Sequence, residues 1–351
     1  MNIKITQTQI PKEKPTGTLG FGRSFTDHMF LADYTEEKGW HDARIVPYGN
    51  LEISPAGSIL HYGQGTWEGM KAYKAEDGSC YLFRPEKNAR RINNSNERIC
   101  IPQFPEEDFI HAVKTLVKTD AEWIPRGKDS SLYIRPFFIA TDPYIGIAIS
   151  KTYRFVIITA PCDAYFGSLK PVGIRIEDEY VRAVRGGTGR AKTGGNYAGS
   201  LVALARAQKE NCAQAMWLDA IDRKYIEEVG TMNIFFKING TIVTPRLNES
   251  ILEGVTRDSV ITLCRDFGLP LEERPIAVDE ITAAAAAGTL EEIFGTGTAV
   301  VISPVNKLRY KNEEITVGNG ETGEISRRLY DTISAIQRGD LPDKFNWRVR
   351  I

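Results

Sequence analysis

Apolar positions along the chain fall into short runs with two different periods. Phe109, Ile110, Val113, Leu116 and Val117 recur at helical spacing and predict an amphipathic helix over about 106–122. A second helix is expected from Pro85, a residue suited to the first helical position, towards Arg98. Residues 132–140 and 153–160 are β-rich runs. Asp77-Gly78 turns the chain into a strand at 80–83, and 52–59 reads as strand and turn. Between them, 60–73 is aromatic and studded with glycine, while 1–20 is polar, contains prolines and is expected to be loosely held.

The second half alternates in the same way. Strands are expected at 215–219 and 226–229, separated by a turn at 222–224. Asn239-Gly240 between 233–238 and 241–244 is a strong hairpin signal, because that dipeptide suits a type I′ turn. Helices are expected at 256–266, 279–287 and 323–337, with Gly288 capping the alanine run 283–287. Residues 295–298 form a Gly-Thr-Gly-Thr turn before a strand at 300–302. Interleaved helices and strands predict a two-domain α/β protein. The expected boundaries are a small α/β domain at 1–162, a linker at 163–172 and a larger domain at 173–351. Tyr165 and Phe166 in the linker are candidates to cover a cleft.

Composition narrows the class without naming a function. The chain has 351 residues, 42% hydrophobic and 25% charged, and a formal net charge of −1. Such a balance gives no global field for nucleic acid or an anionic membrane. No apolar run approaches the roughly 18 residues needed to span a bilayer. The N-terminus carries no visible secretory or transit signal. Five scattered cysteines without a C-x-x-C fit reduced thiols rather than disulfides or a zinc site, so a cytoplasmic protein is expected.

One stretch carries candidate chemistry. In R-G-G-T-G-R-A-K-T-G-G-N-Y-A-G-S, residues 185–200, glycines crowd around Lys192 and a helix run to about Lys209 follows. The expectation is that Gly187, Gly189, Gly194 and Gly195 supply unusual backbone angles and close approach. A confined lysine is poorly hydrated, has a lowered pKa and can act as an amine nucleophile towards an aldehyde cofactor. The stretch narrowly fails the phosphate-loop pattern, since Ala191 stands where its second glycine belongs, and it fails the dinucleotide fingerprint. A plain glycine loop with a surface lysine is the competing reading.

A pyridoxal phosphate site needs more: an acid at the pyridine nitrogen, a donor to the ring hydroxyl and a phosphate cradle with an arginine. Glu228, Tyr197, the Val255-Thr256 helix start, Gly297-Thr298 and Arg84 are the candidates. Each taken alone also fits an ordinary surface charge, core tyrosine or turn.

Together these strings resemble a known signature. R-A-K-T-G-G-N-Y-A, E-V-G-T-M-N-I-F, I-L-E-G-V-T-R and F-G-T-G-T-A occur in the order found in class IV (fold type IV) pyridoxal phosphate aminotransferases. With F-G-R-S-F-T-D-H-M, L-H-Y-G-Q-G-T-W-E-G-M-K-A-Y, L-F-R-P-E-K-N-A-R-R and Y-I-R-P-F-F-I, the chain resembles the branched-chain amino acid aminotransferases from about Phe21 to Gln337. The resemblance implies a two-domain fold whose larger domain holds a pseudo-barrel of strands flanked by helices. It also implies exchange of amino groups between leucine, isoleucine or valine and 2-oxoglutarate, by ping-pong alternation of two cofactor forms.

By the same resemblance Lys192 carries the cofactor as an internal aldimine and shuttles a proton, Glu228 meets the pyridine nitrogen, and Tyr197 meets the phenolic oxygen. Arg84, Val255, Thr256, Gly297 and Thr298 hold the phosphate. Backbone groups at Thr298 and Ala299, with Tyr62, meet the substrate carboxylate. Phe21, Tyr62, Trp67, Tyr133, Thr231 and Ala299 form the apolar pocket, and Arg135 takes the second carboxylate of glutamate. A loop from a second copy, here Tyr144-Ile145-Gly146-Ile147, closes the pocket and implies a homodimer. No metal is implied.

Two departures from relatives are visible. Val300-Val301-Ile302-Ser303 stands where some relatives have a redox C-x-x-C, and Trp67 replaces a phenylalanine of others. A D-amino acid aminotransferase, an aminodeoxychorismate lyase, a nucleotide-binding switch and a binding module without turnover remain as alternatives at this point.

Overall fold

The computed structural model describes residues 1–127, 129–163, 169–311 and 313–351. From the N-terminus come strands β1 (Lys4–Ile5), β2 (His28–Thr35) and β3 (Gly39–Pro47), then helix α1 (Ser58–Tyr62). Strands β4 (Gly65–Trp67), β5 (Met70–Lys74) and β6 (Cys80–Phe83) precede helices α2 (Pro85–Arg98) and α3 (Glu106–Thr119). Long strands β7 (Ser131–Ala140) and β8 (Thr152–Cys162) follow. Next are β9 (Val172–Glu177), helices α4 (Gly194–Ala198) and α5 (Leu201–Lys209), and strands β10 (Gln214–Leu218) and β11 (Ile226–Val229). The sequence continues with β12 (Asn233–Ile238), β13 (Thr241–Thr244), α6 (Val255–Asp266), β14 (Leu271–Glu273) and α7 (Val278–Ala286). It closes with β15 (Leu290–Gly297), β16 (Val301–Tyr310), β17 (Glu313–Thr316), α8 (Glu324–Arg338) and β18 (Arg348–Arg350). No helix among the described residues is long and apolar enough to cross a membrane.

The chain divides into two compact units. One comprises Met1–Tyr165, Ala191–Gly194 and Ala335–Ile351; the other comprises Phe166–Arg190 and Gly195–Ser334. The two are therefore similar in size, and 173–351 is not one uninterrupted unit. The aromatic pair expected in the linker, Tyr165 and Phe166, lies outside the described residues.

The first unit is built on a mixed sheet in the order β1-β3-β2-β8-β7-β5-β6-β18, with β4 also on β7. Strand alternation sends Leu132, Ile134 and Phe138 of β7 and Phe155 and Ile157 of β8 into one core with Ile92, Phe109, Val113 and Leu116 of α2 and α3. Tyr133 and Arg135 consequently fall on the opposite face. Pro136 sits mid-strand and has no N–H to give. Strands β4 and β5 pair with β7 in one continuous register, Trp67 opposite Phe137 and Met70 opposite Ile134. They are interrupted only at Glu68-Gly69, beside Pro136, where Glu68 N–H still reaches the Pro136 carbonyl at 2.8 Å. The break lets Glu68 turn to α2. Gly69 is required there, because a Cβ would overlap the Tyr133 hydroxyl.

Where sequence and structure differ in this unit, a particular hydrogen bond is the cause. Residues 52–59 form no strand: Gly57 N–H bonds the Ser54 carbonyl at 2.8 Å in a turn, and α1 starts at Ser58. Helix α3 stops at Thr119 because Asp120 is drawn to His28, 2.7 Å to its ring and 3.0 Å to its N–H. Strands β2 and β3 lie before residue 52, in a stretch for which no element is expected from the sequence.

The second unit has a sheet in the order β11-β10-β9-β16-β15-β12-β13-β14, with β17 on β16. Its core gathers Ile174, Met216, Ile234, Phe236, Ile293 and Leu308 under Val278 and Ile281 of α7. The β12–β13 hairpin has φ 47° at Asn239 and 77° at Gly240, the left-handed pair a type I′ turn requires. Two α/β units, each with its own sheet and core, match the predicted class.

Candidate functional site

In the first unit, residues 191–194 are stitched to the sheet and to α2. Lys192 N–H donates to Ser95 Oγ at 2.9 Å, and its carbonyl accepts Trp67 N–H at 3.0 Å. Thr193 Oγ1 donates to the Gly65 carbonyl at 2.7 Å, and Thr66 bridges Thr193. These bonds explain why a short segment from just past the midpoint of the chain groups with the first unit.

Lys192 is buried, and its amine is lowered from 10.5 to about 8. Burial is the main cause, followed by the Arg91 charge; Glu68 and Tyr133 oppose it, and Arg135 adds to it. Its Nζ stands 4.0 Å from the centre of the Trp67 ring. The Arg135 guanidinium covers the same ring at 4.1 Å and donates to the Tyr133 hydroxyl at 3.0 Å. Phe21 packs edge-on against Tyr133 at 4.7 Å. Lys192, Trp67, Tyr133, Arg135 and Phe21 are thus one cluster. Arg135 Nε is buried within it and has no hydrogen-bond partner among the described residues.

Other candidates of this unit stand differently. Arg84 is buried at the cap of α2, with φ 50°; its N–H reaches the Trp347 carbonyl at 2.7 Å and its guanidinium lies 5.0 Å from that ring. Tyr62, Ile145 and Ile147 project into solvent within this chain, Ile147 at 93% exposure.

In the second unit, Glu228 is buried at the end of β11. Its Oε2 pairs with Arg182 Nε at 2.8 Å, and its Oε1 accepts Leu252 N–H at 2.7 Å. Arg182 also donates to the carbonyls of Gly189, at 3.3 Å, and Ser250, at 2.7 Å. One guanidinium therefore ties the glycine stretch to the acid. Gly189 must be glycine, since a Cβ would meet the Ser250 backbone at 2.5 Å. Gly194 and Gly195, by contrast, show neither left-handed angles nor crowding, so the special geometry expected there is absent.

Val255 and Thr256 open α6 and are buried, with Gly254 before them and no side-chain cap. That helix start leaves N–H groups suited to an anion. A Cβ at Gly254 would overlap Asn233 Oδ1, so no larger residue fits. Tyr197 is half-buried in α4; Gly297, Thr298 and Ala299 lie at the end of β15 and the turn after it; Thr231 is exposed.

Sequence reasoning missed Glu68, Asn88, Arg91, Ser95 and Arg182. Glu68 is wholly buried, paired with Arg91 through Oε1–Nε at 2.6 Å and Oε2–Nη2 at 2.7 Å, and bonded by Asn88 at 2.8 Å. Burial opposes its charge, but Arg91 holds the carboxyl below the usual range. The quoted strings W-E-G and N-A-R-R contain Glu68, Asn88 and Arg91 without marking them, and Ser95 and Arg182 lie in none of the quoted strings.

Residues 65–308 match the family described as Amino-transferase class IV. The chain is 54% identical over 352 residues to branched-chain-amino-acid aminotransferase 2 of Bacillus subtilis (strain 168), covering 100% of this chain and 97% of that protein. It is 52% identical to the probable branched-chain-amino-acid aminotransferase of Staphylococcus aureus (strain N315), covering 99% and 98%. The solved branched-chain amino acid aminotransferase of Thermobaculum terrenum in its PLP form has the same fold: TM-score 0.74 at 24% identity, covering 92% of this chain and 97% of that one.

Proposed function

The chain belongs to the Amino-transferase class IV family, and we propose that it exchanges amino groups between L-leucine, L-isoleucine or L-valine and 2-oxoglutarate. The observation that carries this reading is the full-length match, above half identity, to an enzyme named for branched-chain amino acids. Other class IV chemistries, such as D-amino acid transfer or aminodeoxychorismate cleavage, have no comparable support. The reaction works with pyridoxal 5'-phosphate, which when bound supplies an aldehyde and an electron-accepting ring.

Residues of this chain fit that group. Lys192 offers a buried amine at about 8, neutral in a substantial fraction near physiological pH. Glu228 offers a buried carboxyl group, paired with Arg182 at 2.8 Å, to face a protonated ring nitrogen. The uncapped start of α6 at Val255 and Thr256 suits a phosphate, with Arg84, Gly297 and Thr298 as its further holders. Tyr197 donates to the ring oxygen. Lys192 Nζ would take the proton from the substrate Cα and deliver it to the carbon that the cofactor's aldehyde supplies.

Phe21, Tyr62, Trp67, Tyr133, Thr231 and Ala299 exclude water from a branched side chain, at roughly 1.5–3 kcal/mol per residue buried. Thr298 and Ala299 N–H groups and Tyr62 orient the α-carboxylate. Arg135 meets the second carboxylate of glutamate; its partnerless Nε supports that role, since a buried donor is costly until paired. Tyr144, Ile145 and Ile147, exposed at 56%, 68% and 93%, suit closure of the pocket in a second copy, making a homodimer. Reduced cysteines fit a cytoplasmic setting.

Kinetics with each amino donor and 2-oxoglutarate test the reading. Arg135→Ala is expected to lose at least about tenfold more kcat/KM with glutamate than with leucine. No turnover of any branched-chain donor by the wild-type protein would refute the function, and equal losses would remove Arg135. A monomeric mass in sedimentation at full activity would remove the second copy.

A further inference from the structure

The proposed role of Lys192 leaves unexplained a buried ion pair that the aminotransferase reading does not use. Glu68 and Arg91 face each other with two parallel hydrogen bonds, a geometry that fixes both planes. Asn88 and Gly69 N–H saturate the carboxylate further, at 2.8 and 3.1 Å. Such a pair is weak evidence for stability, because desolvation offsets its attraction. Its position is more telling. Glu68 follows Trp67, whose N–H holds the Lys192 carbonyl. Arg91 lies one turn before Ser95, whose hydroxyl donates to the Arg91 carbonyl at 3.0 Å and accepts Lys192 N–H. Thr66 Oγ1 adds a bond to Asn96 Oδ1 at 2.5 Å. The peptide group of Lys192 is therefore gripped from both sides by two segments that the ion pair locks together.

We infer that Glu68 and Arg91 are positioning residues for Lys192: they fasten α2 to residues 66–68, so that Ser95 and Trp67 hold the lysine backbone, and they set one charge of each sign beside its amine. The inference rests on the proposed function, in which Lys192 carries the cofactor. Four groups of this unit act on the amine, and their signs differ. Arg91 and Arg135 favour its neutral form; Glu68 and Tyr133 favour the charged one. A purely structural pair would move the amine alike whichever partner is removed. A positioning pair of opposite charges moves it in opposite directions.

The test is the pH titration of the visible absorption of the bound cofactor in holoenzyme. Glu68→Gln is expected to lower the apparent pKa and Arg91→Gln to raise it, each on the order of one pH unit. Ser95→Ala is expected to leave that pKa in place and release the cofactor faster. Shifts of the same sign, or two wild-type titrations, would overturn the inference. Should the neutral variants fail to fold, Glu68→Asp and Arg91→Lys decide it. Both keep the charges and are expected to titrate as wild type while losing cofactor several-fold faster; unchanged release would overturn the clamp. A wild-type protein without a visible band would instead refute the function on which the inference stands.

Discussion

The Lys192 amine, at about 8, sits well below an ordinary lysine, and burial rather than any single charge is the leading cause. The sign has a direct consequence. Below about 8 the amine is mostly protonated and cannot attack an aldehyde; above it the amine is free. Capture of pyridoxal 5'-phosphate by apoenzyme is therefore expected to speed up about tenfold per pH unit below 8 and to level off above it. Continued acceleration towards 10.5 would show an unperturbed lysine. At this scale the sequence singled out the lysine, through its glycines, and Glu228, through its place beside a glycine at a strand end, and the structure buries both. It did not reveal Arg182 or Arg91, because ion pairs that close across long loops leave no local mark. Nor did it foresee that Gly194 and Gly195 are uncrowded, since composition cannot separate a glycine needed for close approach from one at an open helix start.

Elements were legible where backbone chemistry is local. Helix α2 begins at Pro85 because a proline suits the first position, and the β12–β13 turn follows from Asn239-Gly240. That turn makes a prediction of its own. Asn239 holds φ 47°, an angle asparagine tolerates and alanine does not, so Asn239→Ala is expected to cost about 1 kcal/mol and lower the melting temperature. An unchanged calorimetric midpoint would contradict the reading. Elements were illegible where a particular hydrogen bond, tertiary or local, overrides the pattern. Asp120 ends α3 early for the sake of His28, and the Ser54–Gly57 turn takes residues that alternate like a strand. The buried face of α2 is the plainest case. Asn88, Arg91, Asn93, Ser95 and Asn96 are all buried, and a polar face directed inward has no hydrophobic period to read.

At the scale of the molecule, the sequence supplied two α/β units and missed how the chain is shared between them. A linear reading assigns 173–351 to one domain. In the fold, residues 191–194 and the C-terminal segment group with the first unit: Ser95, Trp67 and Gly65 hold the former, and β18 pairs with β6. The catalytic candidates are divided accordingly, Lys192 and Arg135 on one unit, Glu228, Tyr197 and Thr256 on the other.

The central claim, a cofactor joined to this one lysine, is most directly tested by borohydride reduction of the holoenzyme followed by peptide mapping. The account predicts a stable cofactor adduct on Lys192 alone. An adduct on another lysine, such as the buried Lys71, or none on Lys192, would contradict it.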